Sequence, residues 1–172
     1  EDIYDFKIGE ISIGDSLLDF YLNEEIINFI NYDDLPSSME YRIVETQIKL
    51  AKDFKAYQFY LKPNDNKFIV YGISGIIECI DKDDCNNIFM NIENDLDEFF
   101  INKEIIGPNS GDHHDDPSGK SKYKIKYYSL DYGIASVYST VWSDKMNYFN
   151  HVAVDILTSE TDNWIRSGYG VK

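Results

Sequence analysis

The sequence FIVYGISGIIECIDKDDCNNIFMNIENDLDEFF, residues 68–100, decides the fold because it encodes a strand, a short turn and an amphipathic helix in succession. From Phe68 to Cys79 the chain is rich in Ile, Val and Tyr and carries only one charge, Glu78, which is typical of a buried strand. Gly72 and Gly75 interrupt this pattern. They predict a bulge or the close approach of another element.

A helix is predicted to follow the turn at residues 80–84, with Asp83 or Asp84 as its N-cap. The apolar residues of this helix recur at spacings of three and four, which places them on one side of it. They are Cys85, Ile88, Phe89, Ile92, Leu96, Phe99 and Phe100. The other side carries Asn, Asp and Glu, so we expect the helix to lie on a sheet with one side buried and the other in solvent.

Cys79 and Cys85 are the only cysteines of the chain, and a strand that runs directly into a helix brings such positions close together. Three interpretations are open: a structural disulfide, two buried thiols, or a redox pair in which the helix N-terminus activates Cys85. The spacing is not the C-x-x-C of thiol oxidoreductases, which favours the disulfide. Because the loop is so short, a bridge is expected to stabilise the fold by only about 2 kcal/mol.

The remaining patterns predict the order strand, helices, three strands, helix, three strands. Strands are expected near residues 4–13, 41–50, 56–62, 68–79, 123–127, 135–141 and 152–156, short helices at 16–21 and 24–31, and a helical tail at 161–166 that docks Trp164. This order predicts an α+β fold of two layers, an antiparallel meander sheet with helices on one face. The helix-plus-meander unit is expected twice within a single domain, residues 1–172, with approximate halves 1–79 and 80–172. The order resembles that of small secreted inhibitor and outer-membrane assembly domains.

Four blocks of sequence carry a closer resemblance. They are ISIGDSLLDFY at 11–21, YGISGIIEC at 71–79, DPSGKS at 116–121, and HVAVDILT followed by DNWI within 151–165. These blocks resemble small exported proteins of AT-rich marine alphaproteobacteria, a group with no assigned activity. The resemblance implies a periplasmic or secreted setting. Since the chain begins at Glu1 and not at Met, we expect a mature form from which a signal peptide was removed.

The charge balance limits the classes of partner. Sixteen basic residues against 31 acidic ones give a net charge of −15, which disfavours nucleic acids and anionic membrane surfaces. The apolar runs are too short to form a transmembrane segment. We therefore expect a protein or a small ligand as partner, with no cofactor, and an open sheet edge makes a homodimer a further expectation.

The loop NSGDHHDDPSGKS, residues 109–121, holds the strongest candidates for a metal or ligand site. These are His113, His114, Asp116 and Lys120, to which His151 could be added by the fold. Adjacent histidines are expected to point apart in an extended chain, so the alternative interpretation is a solvated polar loop. The functional hypothesis that uses this loop is a metal-assisted hydrolase built on residues 112–120.

Tyrosine is abundant, with 14 residues in the chain, and the second meander concentrates it. Tyr123, Tyr127 and Tyr138, together with Trp142, predict a binding face, because Tyr is common where a surface contacts a partner. The alternative is that Tyr simply fills half-exposed sheet positions, where its β-propensity favours it. The sequence predicts no catalytic residue, so the preferred hypothesis is a non-catalytic exported binding or interaction module with an acidic, Tyr-rich sheet face.

Overall fold

One antiparallel sheet organises the fold. The structure is a computed structural model that describes residues 2–31, 40–46 and 54–168. In these residues the strands are β1 (Arg42–Thr46), β2 (Ala56–Leu61), β3 (Val70–Glu78), β4 (Glu104–Asp112), β5 (Lys122–Leu130), β6 (Gly133–Val141) and β7 (His151–Thr158). Their order in the sheet is β1-β2-β3-β7-β6-β5-β4, so a meander of three strands joins a meander of four where β3 pairs with β7. The predicted α+β fold with an antiparallel meander sheet is confirmed.

Helices cover the two faces of the sheet unequally. Helix α1 (Asn23–Asn31) and helix α2 (Lys82–Phe99) share one face, where Ile26 and Phe89 belong to the same core cluster as strand residues such as Val154. Helix α3 (Ser159–Arg166) lies on the opposite face, with the expected docking of Trp164. The prediction of helices on one face therefore holds for the two longer helices and fails for α3. No helix in the described residues has both the length and the apolar character needed to cross a membrane.

The predicted first strand, residues 4–13, is wrong. This segment forms an isolated bridge in which the Ile8 N–H donates to the Ile11 carbonyl at 3.1 Å, because the chain turns at Gly9 with a φ of +66°. Ile3, Ile8, Ile11 and Ile13 are nevertheless buried in the core. The apolar alternation that predicted a strand thus serves a loop that lies over the sheet.

The sequence does not predict strand β4, because EIIGPNSGD has no apolar alternation and its last residues belong to the polar loop predicted at 109–121. It is an edge strand, and all of its residues except Gly111 are exposed. A strand that buries neither face leaves no periodic signal in the sequence. At the other edge, β1 accounts for part of the strand predicted at 41–50, and residues 47–50 lie outside the described residues.

The strand-to-helix unit agrees closely with its prediction, but the helix cap differs. The N-cap of α2 is Asp81, whose Oδ1 accepts from the backbone N–H groups of Asp83 and Asp84 at 3.0 and 2.9 Å. Asp84 in turn accepts from the Ile80 N–H at 2.9 Å, so the two carboxylates satisfy backbone donors on both sides of the helix start. The predicted cap at Asp83 or Asp84 is therefore wrong by two or three residues.

The close approach predicted at the β3 glycines is confirmed. A Cβ atom added to Gly75 would lie 2.6 Å from Ile8 Cγ2, and one added to Gly72 would lie 2.7 Å from Leu157 Cδ2. Both distances are far below van der Waals contact. The two glycines therefore admit the N-terminal segment on one face of β3 and the Leu157 side chain on the other.

A buried lysine fastens α2 to β5. Lys126 Nζ lies 2.7 Å from Asp97 Oδ1 and 3.0 Å from Glu93 Oε1, and the Tyr128 hydroxyl donates to Asp97 Oδ1 at 2.8 Å. Although burial opposes it, hydrogen bonds from Lys126 and Tyr128 hold the pKa of Asp97 below its ordinary value. Lys126 is buried and needs these carboxylates as its partners, so the contacts fix the position of the helix.

Cys79 and Cys85 form a disulfide, with their Cα atoms 5.2 Å apart. This selects the first of the three interpretations left open by the sequence. The bridge links the end of β3 to the first turn of α2.

Replacing both cysteines, as Cys79→Ala with Cys85→Ala, is expected to lower the free energy of unfolding by about 2 kcal/mol, because the closed loop is short. Urea denaturation monitored by circular dichroism measures this change. Reduction of the unmodified protein serves as the control, since it breaks the bridge and leaves every other atom in place. An unchanged urea midpoint after reduction would contradict the prediction.

Candidate functional site

The sheet face opposite α1 and α2 carries the candidate site. Helix α3 covers one end of this face, and farther along it β5 and β6 present the side chains of Tyr123, Tyr127 and Tyr138. The register pairs Tyr123 with Thr140 and Ile125 with Tyr138, so these side chains stand on the same face. All three tyrosines are half-buried. Packing of α3 at one end only leaves them accessible.

These side chains surround an open cavity of about 480 Å³. The lining residues are Asn109, His113, His114, Tyr123, Ile125, Tyr127, Tyr138 and Thr140. We call this surface the aromatic face. It unites three of the tyrosines predicted as a binding face with two of the histidines predicted as ligands.

The loop between β4 and β5 brings the histidines to this face. The chain turns where the Asp116 N–H donates to the His113 carbonyl at 3.1 Å. The rings of His113 and His114 stack with centroids 4.9 Å apart, and the His113 ring lies 4.3 Å from that of Trp142. The expectation that the adjacent histidines point apart is therefore wrong, because the chain here is a turn and not an extended segment.

Asp116 is the internal support of this loop. Its Oδ1 accepts from the backbone N–H and the hydroxyl of Ser118, at 3.0 and 2.6 Å. Its Oδ2 accepts from the backbone N–H and hydroxyl of Ser121 and from the hydroxyl of Ser143, at 3.0, 2.6 and 2.7 Å. Hydrogen bonds from Ser118, Ser121 and Ser143 hold the pKa of Asp116 far below its ordinary value. In place of the predicted ligand role, this carboxylate ties the loop to the segment after β6.

The other sequence candidates divide between the two faces. His151 packs on the aromatic side, with its ring 5.7 Å from Tyr138 and 5.6 Å from Phe149. Burial lowers the pKa of His151, and the proximity of His113 adds to this effect. Lys120 is exposed and lines a different cavity, on the α2 side of β5. The fold thus gathers the histidines and aromatic residues and leaves Lys120 and Asp116 apart from them.

His113, His114 and Asp115 form a group that could hold a metal ion, since one ligand atom from each lies within 4.8 Å of the others. His114 Nε2 is 3.2 Å from Asp115 Oδ1, and His113 Nδ1 is 3.8 Å from Asp115 Oδ2. Burial lowers the pKa of His113, which favours the neutral imidazole that binds metals. Two imidazoles and one carboxylate are a donor set that suits zinc. The carboxylate of this group is Asp115 and not the predicted candidate Asp116.

Sequence reasoning missed Asp155, which lies on the same side of the sheet between Ser74 of β3 and Ser136 of β6. The Ser74 hydroxyl donates to Asp155 Oδ1, and the Ser136 hydroxyl donates to Oδ2 at 3.2 Å. Burial raises the pKa of Asp155 to about 6, against which the two serine hydrogen bonds act only in part. The signal in the sequence is one carboxylate inside the apolar strand VAVDIL.

The raised pKa of Asp155 makes stability depend on pH. Because the folded state holds this proton more tightly than the unfolded chain, whose Asp pKa is about 4, the contribution to stability is present at low pH and lost as the pH rises through about 6. Asn at this position does not titrate. We therefore expect the unfolding free energy of Asp155→Asn, compared with that of the unmodified protein, to rise by on the order of 2 kcal/mol as the pH increases from about 4 to about 7. Urea denaturation across this range tests the prediction, and a constant difference between the two proteins would contradict it.

The fold and site together define an α+β protein with one open aromatic sheet face. No family model matches the chain, and no curated protein matches it. Among solved structures, the Ran-binding protein Mog1p of Saccharomyces cerevisiae is 10% identical, with 78% of this chain and 86% of that chain covered and a TM-score of 0.31. A mutant of protein Mog1 is 9% identical, with 74% and 78% covered and the same TM-score of 0.31. Similarity at this level carries no argument about the chain.

Proposed function

We propose that the protein is a non-catalytic binding module whose aromatic face takes up a cationic group, either a Lys or Arg side chain of a partner protein or a small organic cation. One observation carries the proposal: Tyr123, Tyr127, Tyr138, His113 and His114 line a single open cavity of about 480 Å³. Aromatic rings with an apolar body and a polar edge are the side chains that binding surfaces favour.

The chain's own cations support the choice of a positively charged partner. The guanidinium carbon of Arg166 lies 5.3 Å from the centroid of the Tyr127 ring, and Lys55 Nζ lies 4.4 Å from that of Phe149, which packs against His151. These distances are typical of attraction between a cation and an aromatic ring. Two rings on or beside the aromatic face therefore already bind cations from within the chain.

Electrostatics favours the same class of partner. Burial raises the pKa of Tyr127, and the carboxylates of Asp162 and Asp155 raise it further, although the Arg166 guanidinium opposes them. Both carboxylates are thus within electrostatic reach of the aromatic face. At low ionic strength the net charge of −15 also favours the approach of cations over anions.

A periplasmic or secreted setting is part of the proposal. It is supported by the Cys79–Cys85 disulfide, because such bridges persist in oxidising compartments and are rare in reducing ones. A homodimer through the β4 edge has less support. The register of β4 shifts between Ile106 and Asn109, around Pro108, which has no N–H to offer to a second strand.

The metal-assisted hydrolase is the less favoured function. Asp116 is engaged by serines, Lys120 lies on the other side of β5, and His151 is outside the group of close ligand atoms. The remaining donors, His113, His114 and Asp115, come from three consecutive residues, of which His114 and Asp115 are exposed.

Titration with a short oligo-arginine peptide, followed by NMR shifts of backbone amides, tests the proposed function. We expect shifts concentrated on β5, β6 and the 113–116 turn, and affinity about five- to ten-fold weaker for Tyr127→Leu and Tyr138→Leu, because each removes a ring that attracts the cation. The oligo-citrulline peptide of the same length provides the neutral probe.

Tyr132→Leu is the matched control variant, since Tyr132 is an exposed tyrosine that does not line the cavity. This variant is expected to bind the arginine peptide as the unmodified protein does. Equal shifts with the citrulline peptide, or equal losses in all three variants, would refute cation recognition by the aromatic face.

Arg166 is expected to compete with an external cation for Tyr127. Its Nε lies 2.8 Å from Asp162 Oδ2, which holds the guanidinium over the ring. Arg166→Gln should therefore strengthen binding of the oligo-arginine peptide about two- to five-fold, because it frees the ring and leaves Asp162 without its partner. A weaker affinity in this variant would show that Arg166 helps to form the site and does not occupy it.

A further inference from the structure

The opposite side of β5 presents a second cavity of contrasting chemistry. This side of the strand carries Lys122, Lys124 and Lys126. Lys126 forms ion pairs with two carboxylates of α2. Lys122 and Lys124 join Lys82, the first residue of α2, and Lys120 in lining a cavity of about 580 Å³ between the helix and the β4–β5 hairpin. We call it the lysine cavity.

The lysine cavity holds more positive than negative charge. The one carboxylate among its described lining residues is that of Asp112, which pairs with Lys122 Nζ. Lys124 Nζ lies 4.1 Å from the centroid of the Phe89 ring, and the described residues offer no ion pair to Lys82 or Lys120. Lys82, Lys120 and Lys124 thus line one cavity without a carboxylate partner among the described residues, in a chain with 31 acidic residues.

Such an arrangement needs an explanation, because like charges brought together raise each other's electrostatic energy. A chain this acidic has enough carboxylates to neutralise the cavity. Lys126, two residues after Lys124 on the same side of β5, pairs with two of them. Among the described lining residues only Asp112 brings a carboxylate to the lysine cavity, which leaves it open to a negative charge from outside.

We propose that the lysine cavity binds a small organic anion that carries several phosphate or sulfate groups. Ammonium groups act as point charges toward such anions, and Asn86 and Ser110 in the lining supply neutral hydrogen-bond donors. The volume is within the range of about 300–1,000 Å³ that small-molecule sites occupy. Its lysines lie on the other side of β5 from the aromatic face, and Tyr123 lines both cavities. The proposed anion site does not rest on the function proposed for the aromatic face.

Isothermal titration calorimetry with inositol hexakisphosphate and with sucrose octasulfate tests the site. Binding is expected with at least one of them at about 50 mM NaCl, and it should weaken as salt screens the lysines. Lys82→Gln and Lys120→Gln should each lower the affinity about ten-fold, because each removes one charge-assisted contact. Both side chains are exposed and without described ion pairs, so these variants retain the fold, which their thermal unfolding verifies.

Lys7→Gln and Lys67→Gln are matched controls that make the same charge change outside the cavity and should leave the affinity unchanged. A preference for the phosphorylated or for the sulfated probe upholds the site and identifies the group that it recognises. The proposal is overturned if neither anion binds at about 1 mM under low salt, or if the control variants weaken binding as much as the cavity variants do.

Discussion

The antiparallel pairing of β3 with β7 is the constraint on which the rest of the structure depends. It runs from Gly72 opposite Leu157 to Glu78 opposite His151 and joins two meanders that are far apart in the sequence. Bringing such distant segments together is entropically costly, so the pairing needs support from both faces. Gly75 admits Ile8 of the N-terminal segment on one face, and Gly72 admits Leu157 on the other. The disulfide and the Asp81 cap then direct the chain from the end of β3 into α2.

Strand β5 determines the chemistry of both candidate surfaces. Its residues Lys122 to Tyr127 alternate between lysine on the α2 side and Tyr or Ile on the open side. Since successive side chains of a strand point to opposite faces, a single segment supplies Lys122 and Lys124 to the lysine cavity and Tyr123 and Tyr127 to the aromatic face. Lys126 serves a third purpose, because its ion pairs with Glu93 and Asp97 hold α2 over the strand. The helix held in this way contributes Lys82 and Asn86 to the lining of the lysine cavity.

The parts of the fold that the sequence predicts are those with a periodic apolar signal. Helix α2 and strand β3 have such a signal, and their positions agree with the prediction. The alternation of Ile8, Ile11 and Ile13 misleads, because a loop that lies over a core selects the same residue types as a strand. Strand β4 lacks the signal, since an edge strand exposed on both faces is selected for its backbone pairing and not for burial.

The candidate site shows the same limit in another form. Tyr123, Tyr127 and Tyr138 are visible in the sequence as a cluster, but their union with His113 and His114 depends on a turn held by Asp116 and on its bond to Ser143, a residue distant in the chain. Contacts of this kind follow from tertiary structure and not from local pattern. The fold also places the lysine cavity and most of the aromatic face on opposite sides of β5. Screening limits electrostatic reach to about 8 Å at physiological salt, so the nearest groups determine what each surface attracts. A strongly acidic chain can thereby present a cation-binding face and, across one strand, a cavity suited to anions.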